Sequence, residues 1–353
     1  MEPRNYRSRK PKSKFPYGAK VAVIDLLLAG IFLCVFALFH HVLPTSKGGP
    51  IGTTKPVTSP SAEVSTDVSP GTNASDEPGD TSSQEPQPSE SDGTSADPTS
   101  WREKFKEHFS DEVVQTDTSY KSPNISVELE KISENDITYY VADIYVADIS
   151  YFKTAFANGE YGKGIRDTTL NMATENNAIV AISGDYYGNR DDGTVIRNGN
   201  IYREEPYTGD SCVLYYDGTM EAYFADEFDV AAAEANGAYQ TWCFGPKLLD
   251  NGQPMEEFNS EVSRKNPRSA IGYFEPGHYC FVLVDGRQEG YSVGASLAEL
   301  SQIFYNLGCK DAYNLDGGQT AVMAFGDQLA SQPVDGGRRV SDILYISEEA
   351  AES

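Results

Sequence analysis

The chain has 353 residues, with 28 Lys and Arg against 53 Asp and Glu, a formal net charge of −25. An acidic body repels phosphate backbones, so nucleic acid is excluded as an expected partner. Five cysteines without a CxxC, and four scattered histidines (His40, His41, His108 and His278), argue against a zinc site or a His-based triad.

The first 20 residues carry Arg4, Arg7, Arg9, Lys10, Lys12, Lys14 and Lys20 against one acid, Glu2. Residues 21–43, VAVIDLLLAGIFLCVFALFHHVL, hold one acid, Asp25, near the basic end. The run is long enough to cross a hydrocarbon core as a helix. It is too long for a cleaved leader, and no clear small-x-small site follows. The basic flank predicts a cytoplasmic tail at 1–20, a transmembrane signal anchor at 21–43, and everything later outside the cell membrane. Residues 44–100 are rich in Pro, Ser, Thr, Gly, Asp and Glu and hold no aromatic residue. Such a segment buries too little apolar area to offset its ordering entropy. It is predicted to be a disordered linker that gives reach.

Residues 101–353 are long enough for one sizeable core. A short amphipathic helix is predicted at 101–109. Residues 125–130 and 138–149 alternate apolar and polar side chains and predict strands. A helix at 167–175 and a buried strand at 178–183 follow. Strand pieces at 194–196, 211–216 and 220–224 are separated by Asn198-Gly199 and Asp217-Gly218, which are hairpin signals. A strand is predicted at 278–284. Residues 296–307 place apolar side chains at 297, 300, 303, 304 and 307, with Ser296 and Glu299 as a capping box. Strands at 312–315 and 343–346 complete the domain. The expected class is α+β: one globular domain of mixed, twisted β-sheets with a few flanking helices. Cys212, Cys243, Cys280 and Cys309 leave two readings open, two disulfides or four reduced, buried thiols.

The 312–315 strand runs directly into Asp316-Gly317-Gly318-Gln319-Thr320. An acid at a strand end, followed by glycines, exposes a carboxylate beside backbone N–H groups. The same letters also make an ordinary hairpin turn. Pattern alone leaves both readings standing.

Asn314-Leu315-Asp316-Gly317-Gly318-Gln319-Thr320 resembles the NLDGG signature of the phosphodiester glycosidase family. Four more segments resemble that family in order and spacing: 181–187 (AISGDYY), 244–248 (FGPKL), 266–272 (NPRSAIG), and 284–288 (VDGRQ) with 292–300. Gln319 departs from a small residue, Ala321 from a hydroxyl residue, and Ser183 from Asn. The resemblance implies cleavage of a sugar C1–O bond in a sugar-1-phosphodiester of an envelope glycopolymer or glycan. It implies carboxylates near the sugar and arginines on the phosphate. Asp316, Asp185 and Asp285 are the candidate catalytic carboxylates. Arg268 and Arg287 are the candidate phosphate ligands, with Asn314, Gly317, Gly318 and Thr320 around them. No cofactor is expected, although the three aspartates would hold a divalent cation if they converged. The alternative is a non-catalytic glycan-binding or assembly module of the envelope, which the departure at Gln319 favours.

Overall fold

Asn135 and Asp136, both at positive φ (52° and 60°), turn the chain between two ten-residue strands, Ile125–Glu134 and Ile137–Val146. Asn and Asp tolerate that backbone region better than other side chains. This hairpin starts the main sheet in a computed structural model that describes residues 100–349. The predicted tail 1–20, the predicted span 21–43 and the predicted linker up to residue 99 lie outside the described residues. Among the described residues, no helix is long and apolar enough to cross a membrane.

The main sheet has seven strands in the spatial order Val114–Gln115, Ser119–Lys121, Ile125–Glu134, Ile137–Val146, His278–Val284, Arg268–Glu275 and Asp311–Asn314. A second sheet has five: Gln328–Leu329, Met323–Phe325, Val180–Ser183, Asp342–Ile346 and Phe152–Phe156. A third has three: Met220–Tyr223, Ser211–Tyr215 and Ala238–Trp242. Ile125, Ile144 and Phe281 of the first sheet, Ile182 and Leu344 of the second, and Leu214 and Trp242 of the third share one buried core. The Leu297–Leu307 helix closes the other face of the main sheet, where Leu297, Leu300 and Phe304 pack with Ala270, Val282 and Val284. Its predicted capping box is present, with Ser296 and Glu299 exchanging both bonds. Gly272, in mid-strand, leaves the space that Phe304 fills, since a Cβ there would lie 2.7 Å from its ring.

The expectation of few helices and dominant strands matches the fold. Three points need correction. Every strand pairing among the described residues is antiparallel, so the sheets are not mixed. The opening helix at 101–109 is a single turn, Trp101–Lys104, because Phe105 leaves helical geometry and buries its ring. Strands Phe152–Phe156, Asn200–Glu204, Ala238–Trp242, Arg268–Glu275 and Met323–Phe325 were not predicted. Several of these are buried along all or most of their length, so they show no alternation to read. Of the two cysteine readings, the reduced one is seen: Cys212, Cys243, Cys280 and Cys309 are free, buried thiols.

The pairing register brings four strand ends together. Arg268 pairs with Val284, and Ala270 pairs with Asn314. The Asp285–Arg287 turn and the Leu315–Gly318 turn therefore emerge beside the start of the Arg268 strand. Leu315 N–H donates to the Ser269 carbonyl at 2.8 Å, and Asp316 N–H donates to the Gly184 carbonyl at 3.1 Å. The second bond ties the end of the Val180–Ser183 strand to the same place.

Candidate active site

At this junction lies a small cavity of about 120 Å³, lined by Phe244, Val262, Asn266, Arg268, Arg287, Asp316, Gly317 and Gly318. Arg268 is buried, at 2 % exposure. Its Nε donates to the Ala295 carbonyl at 3.0 Å, and its Nη2 donates to the Val262 and Arg264 carbonyls at 2.7 and 2.6 Å. A guanidinium has five N–H donors. Those on Nη1 meet no protein acceptor among the described residues. Burial, and then the charge of Arg287, pull the Arg268 pKa down to about 10. Arg287 sits at φ 59°, and its Nε and Nη2 donate to the Asn266 Oδ1 at 3.3 and 2.9 Å. Neither arginine forms an ion pair with a carboxylate among the described residues. Two cations therefore share a cavity without a direct ion pair to a carboxylate, which leaves room for a bound anion.

Asp316 is 8 % exposed. Burial raises its carboxyl to about 6, and the charge of Asp185 adds to the rise; Thr320, Arg338 and Arg190 pull the other way. A carboxyl in that range can give and take a proton near neutral pH. The Thr320 hydroxyl lies beside it and donates to the Gly317 carbonyl at 2.6 Å. Gly317 admits the chain close to the neighbouring strand, since a Cβ would lie 2.7 Å from the Pro267 carbonyl oxygen. The Gly318 amide donates to that same carbonyl at 2.8 Å, so it is not available to hold an anion. The Gly317 amide has no protein acceptor among the described residues. Asn314 is fully buried and donates to the Gly245 carbonyl at 2.7 Å, fixing the loop that carries Phe244. Asn314 and Thr320 thus shape the site from behind its wall and do not line it.

Asp185 lies elsewhere than expected. Its side chain is fully buried, 3.3 Å from Arg197 Nη2, and its two oxygens accept from the Tyr187 and Cys243 amides at 2.7 and 3.1 Å. Burial opposes its charge, but Arg197, Arg190 and those amides outweigh it and hold the carboxyl below its ordinary value. Arg197 also grips Asp342 Oδ2 with Nε and Nη2 at 3.0 and 2.9 Å. Asp185 thus belongs to a buried ion cluster behind the cavity, not to its wall. Asp285 is buried too, and one of its oxygens accepts from the Tyr291 hydroxyl at 2.8 Å and the Gln332 amide at 3.0 Å. Its other oxygen, Oδ1, is buried without a partner. Burial raises the Asp285 pKa, against the pull of the Gln332 and Tyr291 bonds. The three aspartates do not converge. Among the described residues, no group of three or more His, Cys, Asp or Glu side chains is placed to hold a metal ion.

Other contributors were not anticipated as site residues. Asn266 orients Arg287 and stands two residues before Arg268 in the NPR segment, a signal that was legible. Phe244 supplies an aromatic wall, edge-on to Tyr186 at 6.1 Å between ring centroids. Arg338 places Nη2 3.7 Å from Asp316 Oδ2. Arg197 had no sequence signal, because its partners are distant in the chain.

Comparison with known proteins bears on what this arrangement is. Residues 176–347 match the phosphodiester glycosidase family model. The folded domain thus carries a phosphodiester glycosidase-like region, just under half of the chain. All five motif segments fall in or beside the cavity and its supporting cluster. A SPbeta prophage-derived uncharacterized protein, YomE, of Bacillus subtilis strain 168 is 32 % identical over 199 residues. That match covers 53 % of this chain and 30 % of the relative, so the chain spans under a third of that protein's length. The fold is similar to the catalytic domain of zebrafish N-acetylglucosamine-1-phosphodiester alpha-N-acetylglucosaminidase, solved auto-inhibited by its pro-peptide. The TM-score is 0.52 at 19 % identity, covering 67 % of this chain and 88 % of that one. Within the phosphodiester glycosidase signature, Gln319 turns its side chain to Asp335 Oδ2 at 3.4 Å and does not line the cavity. Ser183 donates to the Asp316 carbonyl at 3.4 Å and accepts no role in the wall.

Proposed function

We propose that this protein hydrolyses the sugar C1–O bond of a sugar-1-phosphodiester. The observation that carries the reading is the sharing of one cavity by Arg268, Arg287 and Asp316, two cations that form no direct ion pair beside a carboxyl poised near neutrality. Arg268 Nη1 and Arg287 bind phosphate oxygens and stabilise the charge that grows as the C1–O bond breaks. The phosphomonoester is a good leaving group, so no acid has to protonate it. Asp316, as carboxylate, faces the positive charge developing at C1 and takes a proton from the attacking water. The new bond is C1–O of water. The products are free sugar and a phosphomonoester. Phe244 offers an apolar surface to a sugar face.

The membrane reading completes the proposal. A span at 21–43 and a linker at 44–100 would hold the domain outside the cell membrane, within reach of an envelope glycopolymer. Protease added to intact cells would then remove the domain and spare the tail. The enzymatic test uses the full-length chain in detergent and a synthetic sugar-1-phosphodiester, with released reducing sugar as the readout. Release that is lost in both Arg268→Ala and Asp316→Asn supports the reading. Tight binding of the glycopolymer without release would instead favour a non-catalytic envelope module.

A further inference from the structure

We propose that Arg338 is a positioning residue that holds Asp316 ionised, by bringing its guanidinium beside the carboxylate from the turn that follows Pro333. It has no place among the residues expected from the sequence, and it does not line the cavity.

Arg338 is held by its backbone and free at its tip. Its N–H donates to the Gln319 carbonyl at 2.8 Å. The preceding turn, Val334–Gly336, and the Gly337 that caps it hold Asp335, Gly336 and Gly337 at positive φ (53°, 76° and 84°). Gln319 anchors that turn a second time by donating to Asp335 Oδ2 at 3.4 Å. Gln319 is thus explained as a strut: main chain and side chain both fix the segment that delivers Arg338. The Arg338 side chain itself is 47 % exposed, and its ion pair among the described residues is the one to Asp316, at 3.7 Å. A cation anchored twice at its base, left open at its tip and directed at one buried carboxylate is placed to act on that carboxylate. It is not placed to hold the fold together.

Other charges also face Asp316. Asp185 repels its charge from the buried cluster, while Arg190 and the Thr320 hydroxyl favour it. Arg268 and Arg287 share its cavity wall. Substrate phosphate would neutralise those two cavity arginines. Arg338 stands outside that wall, so it still supports Asp316 when substrate is bound. That support during turnover rests on the proposed reaction; the charge state of Asp316 does not.

The experiment is a carbon-13 NMR titration of the Asp316 carboxyl, assigned with Asp316→Asn, in the full-length chain. Arg338→Gln is expected to move the Asp316 midpoint up by roughly 0.5 to 1 unit, and Arg338→Lys to restore most of it. Because the pair is half-exposed, salt should screen it, so raising the ionic strength on the unmodified chain should also move the midpoint up. That arm stands even if a variant fails to fold. A midpoint indifferent to both salt and Arg338→Gln overturns the proposal. Kinetics add a separate readout: the acid limb of kcat/KM should shift with the NMR midpoint in Arg338→Gln. Absence of sugar release by the unmodified chain would sink the proposed reaction, while leaving the titration to decide on Arg338.

Discussion

Arg268 and Arg287 line one cavity, and the charge of Arg287 helps weaken the grip of Arg268 on its own proton. Most buried arginines meet a carboxylate; Arg268 meets three carbonyls and keeps its remaining face open. Buried Arg268 and exposed Arg287 repel each other, and an anion bound between them would relieve that repulsion. Inorganic phosphate or sulfate should therefore raise Tm in the unmodified chain. The rise should shrink in Arg287→Ala, read by thermal denaturation across an anion series. An equal rise in both would remove Arg287 from the anion site.

Arg268→Lys tests the planar fork. Lysine keeps the charge but cannot serve the Ala295, Val262 and Arg264 carbonyls and the phosphate together. Sugar release should fall by roughly 100-fold or more, the scale seen when one preorganised donor to a developing charge is lost. Steady-state kinetics with circular dichroism on the same sample separates this from unfolding.

The pH dependence follows from Asp316. Its folded carboxyl titrates at about 6, above the ordinary aspartate value, because of burial. As the base it must be ionised, so kcat/KM should climb through about pH 6 and then level. Linkage gives a second sign. A raised folded pKa means the stability tied to protonated Asp316 is present at low pH and is lost as pH rises through about 6. Asp316→Asn should therefore abolish release without lowering Tm at pH 7. A variant that melts well below the parent at pH 7 would make Asp316 a structural residue.

Asp311 gives a stability test away from the site. Burial pushes its carboxyl up to about 7, against the amides of Ala222 and Ala312 and the charge of Lys247. Its contribution is full below the unfolded aspartate range, ~4, and disappears as pH rises. Urea denaturation should show stability declining toward pH 7, and Asp311→Asn should make that slope shallower. An unchanged slope would mean that Asp311 is already ionised throughout.

Arg197→Leu should destabilise the fold by roughly 3–5 kcal/mol, because it strands two buried carboxylates, Asp185 and Asp342. Denaturant unfolding checks it. A loss under about 1 kcal/mol would mean the cluster is hydrated or protonated enough to spare the cation.

Parts of this were legible from local signals and parts were not. The Ser296 capping box and the Asn198-Gly199 turn act within a few residues, so the sequence displays them directly. Asp316, Arg268 and Arg287 were named because three short motifs carry them, and the register of the Arg268 strand then brings the motifs together. Asp185 misled because its motif speaks of an acid at a strand end. Its role depends on Arg197 and Cys243, which approach from other sheets. The Gly318 amide was expected to meet an anion, yet the close approach that glycine permits delivers it to the Pro267 carbonyl instead. Arg338 was invisible because a half-exposed arginine in a turn looks like any solvated charge until the fold sets it beside a buried acid.

The most direct test of the central claim is where solvent oxygen goes. The full-length chain should turn over a sugar-1-phosphodiester in oxygen-18 water, with the products read by mass spectrometry. Cleavage at C1–O by the Arg268, Arg287 and Asp316 site predicts the label in the free sugar and none in the phosphomonoester. Label in the phosphate, or no turnover at all, would contradict it.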